Sequence, residues 1–146
     1  MMKLEDIQTI WAKDAQIDGE KLDSESIKIP QLHNKYYIIY SDERLRLKSF
    51  QFEMDKITKL KREYFGGRMD KEELDKLGWV PFPFKLLKND IEAYIHADED
   101  VIKNKFKIMM SEEKVNYLES IIKTLNNRNF LIKNAIDWRK FTSGAV

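Results

Sequence analysis

The sequence predicts an all-α protein built from a few long helices, and three observations lead to this prediction. Charged residues make up 35% of the 146-residue chain, which suits long solvated helical faces. Only five glycines and three prolines are available for turns. Apolar residues recur at intervals of three and four over long stretches, as they do along one face of a helix. The length fits one domain, and we expect a helical region over residues 1–84 followed by a second over residues 85–146.

The first forty residues are predicted as helices separated by one turn. Residues 3–14 show helical apolar spacing, Asp18-Gly19 is a turn signal, and a second helix is expected from about Glu20. Pro30 either kinks that helix or stands in the first turn of a new one. The run "KYYIIY" (35–40) has a strand-like composition, but helical patterns flank it without turn residues, so we predict helix there as well.

A new helix is predicted to begin at Ser41, where a capping hydroxyl is followed by two carboxylates. Gly66 or Gly67 is expected to end it in the left-handed conformation. The apolar positions between these points step by three, four, three and seven, and they are Leu47, Phe50, Met54, Ile57 and Tyr64. The sequence therefore predicts one amphipathic helix with a single apolar stripe.

The second half is predicted as a connector followed by helices. A weak helix is expected over 70–77, and Pro81 and Pro83 exclude a helix interior after it. Helix is expected again from about Lys85, with Asp98-Glu99-Asp100 capping its longer part. A stripe with three-and-four spacing runs through Val115, Leu118, Ile122, Leu125, Asn129, Ile132 and Ile136. The run "NNRN" (126–129) is either a turn or part of a continuous helix whose buried stripe carries one asparagine, a feature that often fixes register.

The middle of the chain carries a basic face. Net charge is only +1, but residues 44–68 hold eight cations against three acids. At about 100° per residue, Arg44, Lys48, Lys59 and Arg62 lie opposite the apolar stripe. Cations combined with aromatic rings suit single-stranded nucleic acid, since unpaired bases stack on aromatic faces. The simpler interpretation is that bases in a last helical turn stabilise the helix dipole. Lys61 is an exception, because it falls on the apolar side and must either extend past its packing partner or project into an intersubunit groove.

Catalytic chemistry is not expected. The chain has no cysteine, its histidines His33 and His96 are far apart, and no nucleotide-binding or hydrolase motif occurs. No signal-like start or membrane-length apolar run is present, and the lack of cysteine fits a reducing cytoplasm, so we expect a cytoplasmic protein with no membrane partner. No motif calls for a cofactor or a metal, and we expect neither. A non-DNA-binding helical adaptor or scaffold stands as the alternative to a DNA-binding protein.

Four segments resemble the UvsY recombination mediator family of T-even-type phages in their order along the chain. They are "LEDIQTIWAKDAQID" with "KLDSES", "LKREYFGGRMD", "LLKNDIEAYIHADEDVIK" and "NFLIKNAIDWRKFTSG". The resemblance implies a non-enzymatic mediator that binds single-stranded DNA as a ring-like homo-oligomer, a hexamer or heptamer. It also implies that the protein weakens the hold of the phage single-strand-binding protein on DNA and promotes loading of the phage recombinase, for homologous recombination and repair.

The resemblance also implies roles for particular residues. Basic residues before the Tyr-aromatic-Gly element are tied to DNA binding in the family, and C-terminal helices to self-assembly. In this chain those positions correspond to Lys59 and Lys61, with Arg62 as an added neighbour. The cations and aromatic residues of the sequence pattern add Tyr64, Arg68, Lys48 and Arg44 as expected DNA-binding residues. Self-assembly is expected to involve the stripe residues Val115, Leu118, Ile122, Leu125, Ile132 and Ile136, together with the aromatics Trp138 and Phe141.

Overall fold

A computed structural model describes residues 1–144 and confirms the all-α prediction, because every regular element in that range is a helix. The helices are α1 (Leu4–Asp14), α2 (Leu22–Ile27), α3 (Ile29–Phe65), α4 (Lys71–Leu77), α5 (Lys88–Ala97) and α6 (Glu99–Thr142). None of these helices has both the length and the apolar composition that a bilayer crossing would require. The two longest helices, α3 and α6, together contain more than half of the residues of the chain.

The chain forms two compact units that differ from the predicted division at residue 84. One unit consists of residues 1–45 together with the chain from Glu112 onward, and the other is Arg46–Ser111. The difference arises because α3 and α6 each continue from one unit into the other. A division by position along the chain could not anticipate this, since each unit combines segments that are distant in sequence.

The core of the first unit is built from α1, the start of α3 and the second half of α6. Its buried members are Ile7, Tyr36, Leu118, Ile121 and Leu125. The Tyr36 hydroxyl donates a 2.7 Å hydrogen bond to the Asp14 carboxylate, which also accepts one from Lys35 at 2.7 Å. Burial would raise the pKa of Asp14, but these two hydrogen bonds together with the charges of Lys35 and Arg128 outweigh burial, and the pKa is lowered. The polar contacts thus fix the end of α1 against α3.

Of the two alternatives left open for the run "NNRN", the structure shows the continuous helix, but without an asparagine in its buried stripe. Asn129 is exposed, whereas Arg128 is only 2% exposed. From Val115 onward the buried positions of α6 are Val115, Leu118, Ile121, Leu125, Arg128 and Ile132. The buried stripe therefore passes through Ile121 and Arg128, one residue before the predicted positions Ile122 and Asn129. Arg128 can occupy a core position because its guanidinium donates a 2.6 Å hydrogen bond to the Asp14 carbonyl oxygen.

The bounds of α3 decide two predictions, the helix start at Ser41 and the place of Pro30. Ser41 is not a helix start, because α3 runs unbroken from Ile29 to Phe65. The following Glu43 is buried, with its carboxylate 3.7 Å from the Lys114 ammonium, so this segment is held inside the helix by tertiary contacts. Pro30 stands in the first turn of α3, where the missing N–H has no cost.

The second unit has a smaller core at the point where α3 ends and α6 begins. Phe65, Ile95 and Val101 are buried there, with Tyr64 and Phe82 packed against them. Asp98 caps α6 as predicted, since its carboxylate accepts hydrogen bonds from the backbone N–H groups of Asp100 and Val101. Helix α4 confirms the weak helix expected over 70–77.

Substitution of a core leucine tests the assignment of the inward face of α6. Leu125→Ala should lower the free energy of unfolding by about 2–5 kcal/mol, because it leaves a cavity beside fully buried neighbours. Leu131, on the same helix and 52% exposed, provides the control, and Leu131→Ala should change stability by no more than about 0.5 kcal/mol. Urea denaturation followed by circular dichroism measures both. Equal effects would show that the inward face is misassigned.

Candidate nucleic-acid interface

The candidate interface begins where α3 ends. Gly67 has φ of +70°, so it provides the left-handed residue that stops the helix, as the sequence predicted. The Arg68 N–H then donates a 2.9 Å hydrogen bond to the Glu63 carbonyl oxygen, which satisfies one of the last carbonyls of α3. A side chain at position 67 would be strained in this conformation. The turn fixes the Arg68 backbone beside the last turn of α3.

Three of the predicted DNA-binding cations in the second unit are exposed and unpaired. Lys48, Lys59 and Arg68 are all solvent-exposed. None of them forms an ion pair with any residue in the described range 1–144. They can therefore meet an external anion without first breaking an internal contact.

Arg44 belongs to the first unit and is considered separately. It is exposed, and its guanidinium lies 5.5 Å from the centroid of the Tyr40 ring. The Tyr40 hydroxyl in turn donates a 2.9 Å hydrogen bond to the Glu119 carboxylate. Arg44 thus rests on an anchored ring and keeps its charge in solvent.

Lys61 lies in the interior of the second unit, in contrast to its expected role at a DNA surface. Lys61 is 8% exposed. Its Nζ lies 3.1 Å from Asp98 Oδ1 and 2.8 Å from Asp100 Oδ2. The same ammonium lies 4.3 Å from the centroid of the Trp79 ring. Two carboxylates and an aromatic face already surround the charge, so a phosphate would have to displace them.

The ionisation of Lys61 reflects the same surroundings. Burial would lower the pKa of its ammonium, but hydrogen bonds and charge from Asp100 and Asp98 outweigh burial and raise the pKa. The ammonium is therefore retained at neutral pH as a structural cation. Sequence reasoning placed Lys61 correctly on the apolar side but did not identify its partners, because Trp79 and Asp98 come from a connector and a helix cap.

Arg62 and Tyr64 are each engaged within the second unit. The Arg62 guanidinium contacts the Glu92 carboxylate at 2.9 Å, although both side chains remain about half exposed. The Tyr64 hydroxyl donates a 2.6 Å hydrogen bond to the Val80 carbonyl oxygen, and its ring packs edge-on against Trp79. Arg62 can exchange its partner at the surface at little cost. Tyr64 is a packing residue whose ring continues the apolar stripe into the core.

The residues expected to mediate self-association are mostly covered by their own chain. Val115, Leu118, Leu125 and Ile132 are buried, and Ile122 packs against the core of the first unit. Their inward direction follows from the contacts of α6 with α1 and α3, which the sequence alone could not reveal. A second copy could reach them only if the first unit opened.

Apolar side chains at the end of α6 are exposed instead. Trp138 is 66% exposed and Phe141 is 77% exposed, and their rings stack with centroids 5.8 Å apart. Phe130, Leu131 and Ile136 on the same helix are also exposed. This end of α6 therefore presents a larger apolar surface to solvent than the predicted stripe does.

Comparison with known proteins agrees with the resemblance of the four segments. The family model described as "Recombination, repair and ssDNA binding protein UvsY" matches residues 10–145. The recombination protein uvsY of Enterobacteria phage T4 is 24% identical over 143 residues, which cover 98% of this chain and 99% of that protein. The family resemblance is thereby confirmed over nearly the whole chain.

Solved structures share the fold. A crystal structure of the bacteriophage T4 recombination mediator protein UvsY (lattice type II) superposes with a TM-score of 0.85 at 24% identity, covering 98% of this chain and 99% of that chain. A second crystal form (lattice type IV) gives a TM-score of 0.84 at 24% identity, covering 96% and 99%. The helical architecture described above is thus the architecture of those structures.

The contrast between Lys61 and Lys59 can be tested by stability. Lys61→Ala should lower the free energy of unfolding by roughly 3 kcal/mol, because it leaves the buried side of Asp98 without its counter-charge. Lys59→Ala, two residues earlier and fully at the surface, should change stability by at most about 0.5 kcal/mol. Urea denaturation of both variants measures the difference. Equal stability of the two would contradict the internal placement of Lys61.

Proposed function

Because this chain belongs to the family of recombination, repair and single-stranded-DNA-binding protein UvsY, we propose that it is a recombination mediator that acts on single-stranded DNA as a homo-oligomer. In this role it weakens the hold of the phage single-strand-binding protein and promotes loading of the phage recombinase. The subunit number that we propose is six or seven, arranged as a ring. The reaction consists of binding and exchange, and no catalytic group is needed for it.

The observation that carries this proposal is the set of exposed, unpaired cations Lys48, Lys59 and Arg68 in the second unit. Single-stranded DNA is a polyanion whose binding releases counterions, with a salt slope of about 0.7 per phosphate neutralised. Three cations per subunit give a weak and salt-sensitive interaction. We assign the direct phosphate contacts to these residues, with Arg62 and Arg44 as further candidates at the surface. Lys61 and Tyr64 support the site from inside.

Self-association makes this weak contact effective. When several copies hold one strand, every contact after the first forms within the same complex. The overall affinity therefore rises although each subunit makes the same contacts as before. The strand must bend to reach several subunits, and single-stranded DNA is flexible enough to do so. A bent strand held along its backbone would compete with the single-strand-binding protein and leave bases accessible to a recombinase.

We assign the contact between copies to the exposed apolar end of α6. Trp138 and Phe141 are large aromatic side chains, the type that most often dominates the binding energy of an interface. The predicted stripe Val115–Ile136 contributes indirectly, because its inward packing holds α6 in place. Of the predicted assembly region, this assignment keeps Trp138 and Phe141 as contact residues and removes the buried stripe from the contact.

Removal of two exposed cations should weaken DNA binding without unfolding the protein. Lys59→Ala with Arg68→Ala should reduce affinity for a labelled oligothymidylate about tenfold or more. It should also lower the salt slope by about 1.4 for each subunit that contacts the strand, because two phosphate contacts are lost per subunit. Fluorescence anisotropy at several salt concentrations measures both quantities. Lys133→Ala, at an exposed position of α6, is the control and should bind as the parent does. Unchanged binding by the double variant would refute the assigned site.

Replacement of the exposed aromatic pair should dissociate the oligomer. Trp138→Ala with Phe141→Ala should shift the native mass towards that of a single chain, because the exposed rings stabilise no core of their own. Sedimentation velocity measures the mass, and thermal melting checks that the fold is intact. Val80→Ala removes an exposed apolar side chain of the second unit and should leave the mass unchanged. An intact oligomer of the double variant would contradict this assignment.

A further inference from the structure

The outer face of α3 in the second unit carries an aromatic ring between lysines. Phe52 is 64% exposed, with Lys48 four residues before it and Lys56 four residues after it. Residues four apart lie on the same side of a helix, about 6 Å apart along its axis. Lys59, seven residues after Phe52, continues the row by one more turn. We call these four residues, Lys48, Phe52, Lys56 and Lys59, the lysine–phenylalanine row.

Phe52 lies outside the aromatic cluster of this unit. The Phe84 and Tyr94 ring centroids lie 5.7 Å and 5.4 Å from that of Phe82, whereas no ring contact or cation–π contact within residues 1–144 involves Phe52. Phe106 is also exposed and without an aromatic neighbour in that range, but the residues four before and four after it are Ile102 and Met110 instead of lysines. Phe52 therefore combines an exposed ring with a lysine on either side of it along the helix.

The charges around Phe52 favour a polyanion with flat groups over an apolar partner. Lys48, Lys56 and Lys59 are exposed and form no ion pair with described residues. Asp55 and Glu63 border the row, so the lysines alone give only a modest attraction for phosphate. An aromatic ring adds a contribution to the binding free energy that salt does not screen, because stacking depends on the flat face of the base and not on charge.

We propose that Phe52 stacks on an unpaired base of single-stranded DNA, while Lys48 and Lys56 hold the phosphates on either side of that nucleotide. This inference rests on the proposed function and adds to it a base contact at Phe52 and one further phosphate contact at Lys56. It predicts that the protein distinguishes unpaired bases from a bare sugar-phosphate strand. It also predicts little preference among bases, because every base has a stacking face.

Four variants test the role of the ring. Phe52→Ala should weaken binding to oligothymidylate about tenfold, a value within the range for loss of one stacked base, and should leave the salt slope unchanged because no phosphate contact is lost. Phe52→Leu keeps an apolar side chain but should bind as weakly as Phe52→Ala, whereas Phe52→Trp should bind at least as tightly as the parent. Phe106→Ala removes another exposed phenylalanine of the same unit and should bind as the parent does.

An abasic oligonucleotide of the same length separates stacking from charge. The parent should bind it about tenfold more weakly than oligothymidylate, and Phe52→Ala should bind the two strands with similar affinity. If the parent binds oligothymidylate but Phe52→Ala binds equally well, the stacking role is refuted while the proposed function stands. Absence of any binding by the parent would instead refute the proposed function. A lower native mass of Phe52→Ala or Phe52→Leu in sedimentation would place the ring between copies and overturn the inference.

Discussion

The arrangement of the second unit depends on how the ammonium of Lys61 is held. Asp98 and Asp100 neutralise it from the start of α6, and the Trp79 ring covers it from the connector. One buried charge thus joins the end of α3 to two segments that are distant in sequence. Since an uncompensated buried charge is costly, the three segments must stay together once the unit has folded. Because of this contact, Lys61 is not available to a ligand, unlike the exposed cations Lys48 and Lys59 of the same helix.

Neighbouring basic residues of α3 therefore have different roles. Lys61 stabilises the unit, whereas Lys59, two residues earlier, points its charge to solvent. In the proposed function, the free cations form a weak site for single-stranded DNA, and the inward-facing stripe of α6 does not strengthen it directly. The proposal therefore takes the strength of binding from several copies that share one strand, and this is the role it gives to the exposed apolar residues at the end of α6. Under the same proposal, a strand that is held loosely at each subunit can be passed on to a recombinase.

The helical fold could be predicted from the sequence because it depends on local signals. Apolar spacing, the αL glycine at position 67 and the cap at Asp98 all identified their elements correctly. The start predicted at Ser41 failed because tertiary contacts of Glu43 keep that segment helical, and local capping preference is weaker than such contacts. The partners of Lys61 and the inward direction of the α6 stripe could not be predicted, because both depend on contacts between segments far apart in the chain. Arg128, and not Asn129, is buried because its guanidinium donates a hydrogen bond to the Asp14 carbonyl oxygen at the end of α1. The spacing of apolar residues along α6 cannot reveal this partner.

Lysine acetylation measured by mass spectrometry, with and without oligothymidylate, distinguishes the internal cation Lys61 from the exposed cations Lys48 and Lys59. It reports on every lysine of the chain in one experiment and requires no substitution. The account predicts that Lys61 reacts slowly in both conditions, while Lys48 and Lys59 react readily in the free protein and become protected when the strand binds. Rapid reaction of Lys61 in the free protein, with protection by the strand and no change at Lys59, would contradict it.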